Sequence, residues 1–434
     1  MNGTKFLKWL AGVVVVLSIV QMARMLAAFP GCLPTDDSYI ILQYARQITQ
    51  GNWFCYNDGQ MSSGITCPLY AMAIAGANLI FNNWHFSLLA LGVACWFVSL
   101  LIGARLAWKM ARWQAVTAWC VFFGLCGRIE CFMLIGMETA LAIPLALAAV
   151  WAWTSSRHWL AGILVALVTL CRPEAFLFIL VFAITILLYR NRARLMENAW
   201  IWLWFGIVLV PWLIYCWCVS HTIGPSTISL KEGAPALYDS LRFTWQALFL
   251  HWPDTFDSKL VSGCGVQSSA WMAVKSVVPL GLLAAGAWLA LRGKRILLLP
   301  LLFVPAHIVL AAMKHPDPGG AFDRYMPIDY TLVYLYAAVF FGWLLTIKWA
   351  KGAAGVVLLA TAILLVMDSS YCRKSYQIQA SYFAQLDYSI GAWNRGHTAR
   401  PGATDPRTKR RLRGFLWRRM AGRLGVFLER SQIF

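Results

Sequence analysis

Long apolar stretches alternate with short polar ones along most of the chain. A membrane-spanning helix needs about twenty mostly apolar residues. Runs near that length, some of them shorter, recur at 6–28, 84–108, 113–127, 138–154, 158–171, 175–190, 198–219, 270–291, 296–313, 326–347 and 352–367. The pattern predicts an all-α polytopic membrane protein with about 11 transmembrane helices. The first run follows two lysines and lacks a small-residue cleavage site, so we expect a retained signal anchor.

The basic residues fall in alternate loops. They cluster at 109–112, 157, 190–194, 292–295 and 348–351. By the positive-inside rule these loops and the N-terminus are cytoplasmic. The other loops then face outward, and the longest of them are 29–83 and 220–269. Segment 60–81 is apolar but interrupted by Gly, Pro and Asn, so we interpret it as re-entrant or interfacial; a true span there would reverse the side of every later loop.

Composition agrees with this topology. The chain is 60% hydrophobic and 13% charged, which excludes an ordinary soluble domain. The net charge of +19 follows from the cytoplasmic clusters and a basic C-terminal tail, so no nucleic-acid partner is inferred. The 12 cysteines show no zinc spacing, and no metal site is inferred from them. Whether Cys32, Cys55 and Cys67 form an external disulfide is left open.

The last forty residues differ from the rest of the chain. Eleven of them are Lys or Arg, against two acids. We therefore divide the chain into a transmembrane domain, 1–395, and a basic tail, 396–434. The predicted topology places this tail outside, although its charge favours the cytoplasmic face. Wrong parity, an extracytoplasmic basic arm and a lost reading frame or truncation are the three alternatives.

A pair of acids, Asp36 and Asp37, follows the first apolar run. Ile40, Ile41 and Tyr44 continue it at helical spacing, which predicts a juxtamembrane amphipathic helix in the first external loop. One interpretation is that the acids only favour the helix start. The other is that one of them is a general base that removes a proton from an attacking hydroxyl.

Other charged residues occupy the predicted outward loops. Glu138 is either a first-turn acid or a second carboxylate that orients the base or binds a sugar hydroxyl. Arg172 and Glu174 flank Pro173 between two apolar runs, where charges are functional candidates and these two are candidates for substrate binding. The same residues also make an ordinary helix start.

Basic and aromatic residues in later loops have similar alternatives. One interpretation is that Lys231 is a solvated charge and that Arg324 and Tyr325 anchor a helix end at the membrane interface. The other is that the two cations converge on a phosphate leaving group. The sequence has no GxGxxG, P-loop or HExxH motif, and its cytoplasmic loops are short. The chemistry is therefore expected outside, with a lipid-linked phosphate as the activated donor.

Six motifs in order carry a resemblance to a known superfamily. They are Asp36-Asp37-Ser38-Tyr39-Ile40, Gly64-Ile65-Thr66-Cys67-Pro68-Leu69-Tyr70, Gly136-Met137-Glu138-Thr139, Arg172-Pro173-Glu174, Pro225-Ser226-Thr227 with Lys231, and Arg324-Tyr325-Met326-Pro327. Together they resemble the C-type membrane glycosyltransferases, and among these the arabinofuranosyltransferases that use polyprenyl-phosphate arabinose. The resemblance runs over roughly 30–395.

The resemblance implies inverting sugar transfer at an outward-facing site under the first external loop. It implies Asp36 as the base with Asp37 beside it, and Glu138 as the acid of the family's Gly-x-Glu-Thr motif. Lys231 and Arg324 match basic positions that we assign to the donor phosphate. The sequence departs from the family at Ser226 and Cys67, and in lacking the soluble C-terminal domain common in relatives.

These observations lead to one expectation and two rivals. We expect a bacterial inner-membrane enzyme that needs no organic cofactor; its need for a divalent metal is left open. Its partners are membrane lipids, a polyprenyl-phosphate sugar, and a cell-wall glycan, lipopolysaccharide or surface-protein acceptor such as a pilin. The rivals are a transporter or flippase of lipid-linked sugars, against which the absence of an internal repeat counts, and a non-catalytic assembly subunit.

Overall fold

The protein is helical in the part of the chain that the computed structural model describes. That part comprises residues 3–28, 33, 35–188, 192–226, 298–314, 326–367, 369–370, 372–374 and 377. It contains one isolated bridge, between Cys55 and Met61, and no β-strand. The α-helices are α1 (Gly3–Ala27), α2 (Asp36–Thr49), α3 (Pro68–Phe81), α4 (Trp84–Trp119), α5 (Gly127–Leu134), α6 (Thr139–Thr154), α7 (His158–Cys171), α8 (Leu177–Leu188), α9 (Arg192–Ser220), α10 (Leu298–Lys314), α11 (Pro327–Leu344) and α12 (351–367).

The helices make this a multi-pass membrane protein. Five helical stretches of the described chain are long and apolar enough to cross a bilayer, or six if α5 and α6 are one broken span. Helices occupy all the predicted apolar runs except 270–291, which lies outside the described residues. Apolar side chains on α9 such as Trp202, Ile207 and Ile214 are exposed, as expected of a lipid-facing surface.

Helix α4 is a helical hairpin. Its backbone leaves the helical region at Ala111 and Arg112, where φ of Arg112 is +56°. The two halves pack against each other, as the hydrogen bond from the Trp119 indole to the Leu100 carbonyl at 3.0 Å shows. This turn lies where the basic residues predict a loop between two spans.

Helix α3 occupies the segment that we interpreted as re-entrant or interfacial. It has 14 residues. At the helical rise it extends about 21 Å, less than the ~30 Å hydrocarbon core. Helix α7, a predicted span, has the same length, so the re-entrant or interfacial placement of α3 stays a prediction.

Small residues let several helices approach closely. A Cβ on Gly162 of α7 would lie 2.3 Å from the Ile201 carbonyl oxygen of α9. A Cβ on Gly92 of α4 would lie 2.1 Å from the Met133 carbonyl oxygen of α5. Such backbone contacts are typical of helix packing in membranes, where small residues line the interfaces.

The segment between α2 and α3 folds back over α2 and α9. Gln47 of α2 donates a hydrogen bond to Asp58 at 2.8 Å, and Tyr44 shares one with Ser62 at 3.0 Å. Phe54 packs against Trp212 and Tyr215 of α9 at ring distances of 5.1 and 5.2 Å. The helix that we predicted after Asp36 is thus held by its own loop; its placement at a membrane surface stays a prediction.

Candidate functional site

The start of α2 is docked on a sharp break between α5 and α6. These two helices bend by 114° around residues 135–138. Ser38 donates a hydrogen bond to the Ile135 carbonyl at 2.7 Å. Gly136 has φ +83° and lies against Ser38 and Leu88, so a side chain there would be strained and crowded. The acidic first turn of α2 therefore lies directly beside Glu138.

Asp36 and Asp37 form the acidic first turn of α2. Asp36 begins the helix, after Thr35, whose side chain makes no capping hydrogen bond. Asp37 is half-buried and close enough to Glu138 for their charges to interact. Both acids occupy the first turn, where negative charge is stabilised by the helix dipole. The fold thus unites two motifs that lie about 100 residues apart in the chain.

Glu138 does not cap α6. It is the residue before the first turn, and its side chain makes no capping hydrogen bond. Instead its Oε1 accepts a hydrogen bond from Nη1 of Arg172 at 2.8 Å. The same Nη1 lies 3.4 Å from the Thr139 hydroxyl. Glu138 is therefore a buried carboxylate whose orientation depends on an arginine from another helix end.

Arg172 is fully buried and neutralised on two sides. It is 1% exposed. Its Nε and Nη2 lie 2.7 and 2.6 Å from Oε1 of Glu174. The following Pro173 disfavours helical geometry at Arg172, whose extended φ of −140° ends α7 and turns the side chain toward Glu138. This environment favours a positioning function over direct contact with a donor phosphate.

Two further ionisable residues complete the cluster. Nδ1 of His307, in α10, lies 2.6 Å from Oδ2 of Asp329, in the first turn of α11. His307 is 1% exposed and Asp329 is 0% exposed. The other ring nitrogen of His307 faces Oε1 of Glu174 at 3.9 Å. We call Glu138, Arg172, Glu174, His307 and Asp329 the buried charge cluster.

The predicted Gly64–Tyr70 motif borders this cluster through Cys67. Cys67, before α3, is close enough to Glu138 and Arg172 to interact with their charges. Burial raises the pKa of its thiol, so Cys67 stays protonated and is no nucleophile. Cys55 and Cys67 are free thiols, and the described residues contain no disulfide.

The loop after α9 is tied to the same region. Ser63 bonds to Ser220 at 2.6 Å, and the backbone N–H of Ser226 donates to the Ser63 carbonyl at 3.2 Å. Pro225 and Ser226, which begin the next predicted motif, thus lie beside the start of the Gly64–Tyr70 motif.

The predicted phosphate ligands Lys231, Arg324 and Tyr325 lie outside the described residues. Met326 and Pro327, the end of their motif, lead directly into α11 and Asp329. The described part of the chain holds no group of three or more His, Cys, Asp or Glu side chains suited to a metal ion.

His307 and Asp329 were not predicted as site residues from the sequence. Both lie inside predicted spans, and an ionisable residue within a span is a functional candidate by default. That signal was present in the sequence. It did not reveal that the two residues pair with each other or that His307 faces Glu174, because α10 approaches Glu174 only in the folded chain.

The electrostatics of the cluster are unbalanced toward negative charge. Glu138 and Glu174 face one guanidinium, Asp329 faces the His307 imidazole, and the charge of Asp37 also acts on Glu138. Buried carboxylates are tolerated only when paired and hydrogen-bonded. Carboxylates held in this way can orient or deprotonate a hydroxyl group.

Comparison with known proteins identifies the fold. No protein-family model and no curated protein sequence matches the chain. ArnT from Cupriavidus metallidurans in the apo state is structurally similar, with a TM-score of 0.53, 10% sequence identity, and coverage of 87% of this chain and 76% of ArnT. ArnT bound to undecaprenyl phosphate is similar with a TM-score of 0.50 and 12% identity, over 85% of this chain and 75% of ArnT.

An archaeal enzyme has the same fold. The Archaeoglobus fulgidus oligosaccharyltransferase in the apo form matches with a TM-score of 0.52 and 10% identity, over 86% of this chain. The archaeal protein AglB with an inhibitory peptide and a dolichol-phosphate matches with a TM-score of 0.52 and 11% identity, over 84% of this chain. This chain spans 56% of the archaeal protein. It therefore shares the multi-span helical fold of ArnT and the archaeal oligosaccharyltransferase.

Proposed function

We propose that this protein is a membrane glycosyltransferase that moves a sugar from a polyprenyl-phosphate donor to an acceptor hydroxyl, with inversion. The observation that supports the proposal is that the first turn of α2 is bonded to Ile135, close enough to the arginine-held Glu138 for the charge of Asp37 to act on it. The fold supports it, because similar structures include ArnT bound to undecaprenyl phosphate and AglB in complex with a dolichol-phosphate.

The proposed reaction is a single displacement. Asp36 removes the proton from the acceptor hydroxyl, whose oxygen attacks the anomeric carbon of the donor. The bond from that carbon to the phosphate oxygen breaks, and the lipid phosphate leaves with the electron pair. Lys231 and Arg324 stabilise the developing negative charge, and Tyr325 donates a hydrogen bond to the same phosphate.

The remaining acids orient this reaction. Asp37 supports Asp36 from the same helical turn. Glu138 accepts a hydrogen bond from a sugar hydroxyl or orients the base. Because Arg172 and Glu174 neutralise each other beneath Glu138, we assign them to positioning rather than to the substrate contact that their motif first suggested.

The identity of the substrates rests on the resemblance alone. We propose arabinofuranose as the sugar, and a cell-wall glycan, lipopolysaccharide or pilin-like surface protein as the acceptor. The site would face the periplasm or cell exterior from the bacterial inner membrane, because the helix ends that carry it alternate with the basic loops.

The test is transfer from synthetic polyprenyl-phosphate arabinofuranose, followed as release of free polyprenyl phosphate. Replacing Asp36→Asn should lower turnover by about 10²-fold or more, the effect of losing a general base. Asp58→Asn is the matched control, since Asp58 is an exposed acid bonded to Gln47. It should retain turnover within about twofold. The assay is run with and without EDTA to determine the divalent-metal requirement.

Three outcomes would contradict parts of the proposal. Unchanged turnover in Asp36→Asn would mean that Asp36 only stabilises the start of α2 and is not the general base. Movement of a lipid-linked sugar across vesicle membranes without cleavage would support a transporter or flippase. Full product formation in cells that carry only the Asp36→Asn protein would indicate a non-catalytic subunit.

A further inference from the structure

Two cations and two tryptophans meet where α1 begins and α4 turns back on itself. Nζ of Lys8 lies over the ring of Trp113, 5.3 Å from its centroid. Cζ of Arg112 lies 5.6 Å from the ring centroid of Trp108. The two indoles contact each other edge to face, with centroids 4.9 Å apart. We call these four residues the cation–tryptophan cluster; it joins α1 to both halves of the α4 hairpin.

The charged groups of Lys8 and Arg112 are accessible to a ligand. Both side chains are exposed. Within the described residues, each contacts its indole and makes no hydrogen bond or ion pair. Lys109 of the same turn differs, because its ammonium donates to the Thr154 carbonyl. A cation–π contact attracts a charge to a ring but gives its N–H groups no oxygen acceptor, so the donors of both cations are open to an anion.

The segments around the cluster supply no negative charge. Leu7 of α1 accepts a hydrogen bond from Thr117 of α4 at 3.3 Å, and Lys109 connects the α4 turn to the end of α6. The end of α11 follows Gly342, which packs against Ala115. None of the segments 3–10, 105–116, 151–160 and 345–351 contains Asp or Glu. The two cations therefore have no counterion from these neighbouring segments.

The backbone of Arg112 is unusual for a residue with a side chain. Its φ of +56° and ψ of −146° lie in a region that favours glycine. Glycine would make this turn with less strain, so the turn by itself does not explain the arginine. The positive-inside rule does not explain it fully either, because Lys109 already marks the same loop. This position therefore points to a use of the guanidinium itself.

The positive-inside rule places this end of the helices at the cytoplasmic surface, where the leaflet carries anionic lipids. Indole rings favour that interface, and basic pockets between membrane helices bind lipid headgroups. We propose that the cation–tryptophan cluster binds the headgroup phosphate of an anionic phospholipid, with Lys8 and Arg112 donating hydrogen bonds to its oxygens. The bound lipid would join α1 to the α4 turn. The inference does not depend on the proposed function.

The experiment measures thermal unfolding of the purified protein in neutral detergent with added phospholipid. Phosphatidylglycerol should raise the wild-type Tm by about 3 °C or more, because a ligand of the folded state stabilises it. Phosphatidylcholine has no net charge and should raise it by less than about 1 °C. The double variant Lys8→Gln with Arg112→Gly should keep less than about a third of the phosphatidylglycerol effect. Glycine suits the backbone at position 112, so this variant loses the cation without straining the turn.

A second double variant separates a defined site from the general positive charge of this end. Lys348 and Lys351 are exposed at the same predicted surface, and neither contacts an aromatic ring within the described residues. Lys348→Gln with Lys351→Gln removes the same two charges and should keep the full rise in Tm. Native mass spectrometry measures binding directly. Phosphatidylglycerol should bind the cluster variant about 10-fold or more weakly than the wild type, and the control variant as tightly.

Four results would overturn the inference. One is a wild type that phosphatidylglycerol does not stabilise. Another is an equal rise in Tm in the wild type and the cluster variant, which would place the lipid elsewhere. Equal losses in the cluster and control variants would mean that only the total charge matters. An effect of polyprenyl phosphate, but not phosphatidylglycerol, that is lost in the cluster variant would assign the cluster to a different lipid.

Discussion

Arg172 is the residue on which the buried carboxylates depend. It contacts Glu138 and Glu174 at 2.6–2.8 Å and is 1% exposed. Breaking a buried ion pair by removing one partner leaves an uncompensated charge, which is strongly destabilising. The alternative in which this motif is only a helix start does not explain why an arginine is enclosed there, since Pro173 alone would end α7.

Replacing Arg172→Met should therefore lower the free energy of unfolding by about 3–5 kcal/mol, because Glu138 and Glu174 lose their shared cation. Arg172→Lys keeps the charge but cannot bridge two carboxylates with a planar fork, so an intermediate loss is expected. Denaturant unfolding in detergent measures both. Equal stability of Arg172→Met and the wild type would show that the cluster is compensated by other groups.

At the scale of elements, the helices are positioned by close backbone contacts. Helices α7 and α9 touch at Gly162, where no space remains for a methyl group. Arg172 directly follows the last residue of α7, so the packing of α7 against α9 helps to position its guanidinium. The hairpin in α4 acts similarly, because Gly342 of α11 approaches the backbone of Ala115 within its second half.

Gly162→Ala should be destabilising by about 1–3 kcal/mol, because a backbone oxygen of Ile201 cannot move aside as a flexible side chain could. Gly206→Ala in α9 is the control, since a Cβ there would meet nothing within 4 Å. It should be neutral or stabilising by up to about 1 kcal/mol, the helix preference for Ala over Gly. Thermal unfolding of the purified proteins compares them. A smaller loss in Gly162→Ala than in Gly206→Ala would contradict this packing.

At the scale of the whole molecule, the fold brings residues from both halves of the chain to one end of the helices. Glu138, Arg172 and Asp329 all lie at helix starts or ends, and His307 is in the last half of α10. By the positive-inside rule these are the ends opposite the basic loops. With this predicted topology, the proposed lipid-linked donor would reach the site from the outer leaflet without crossing the membrane.

Reporter fusions test this topology. A phosphatase fused after Gly59 should be active, and one fused after Ser156 should be inactive, because the first position is predicted outside and the second next to the cytoplasmic Arg157. Fluorescent-protein fusions at the same positions should give the reverse pattern. Inverted results would place the buried charge cluster at the cytoplasmic end and would contradict a periplasmic donor.

Local sequence features predicted most of the helices. Apolar runs of sufficient length determine spans, because an unpaired backbone is not tolerated in lipid. The charges of Lys109 and Arg112 predicted the turn inside α4, because charged side chains avoid the hydrocarbon core. The short helix α5 and its 114° bend against α6 were not predicted, because the bend depends on packing against Ser38 and Leu88.

The sequence by itself determined that this is a multi-span helical membrane protein, because hydropathy and charge act locally along the chain. It also identified Asp37, Glu138 and Arg172 as candidates by their type and position. Only the tertiary structure decided their partners. Glu138 and Arg172 are 34 residues apart, and His307 reaches Glu174 from α10. Pairing between distant helices depends on the three-dimensional packing of the bundle, which no local pattern specifies.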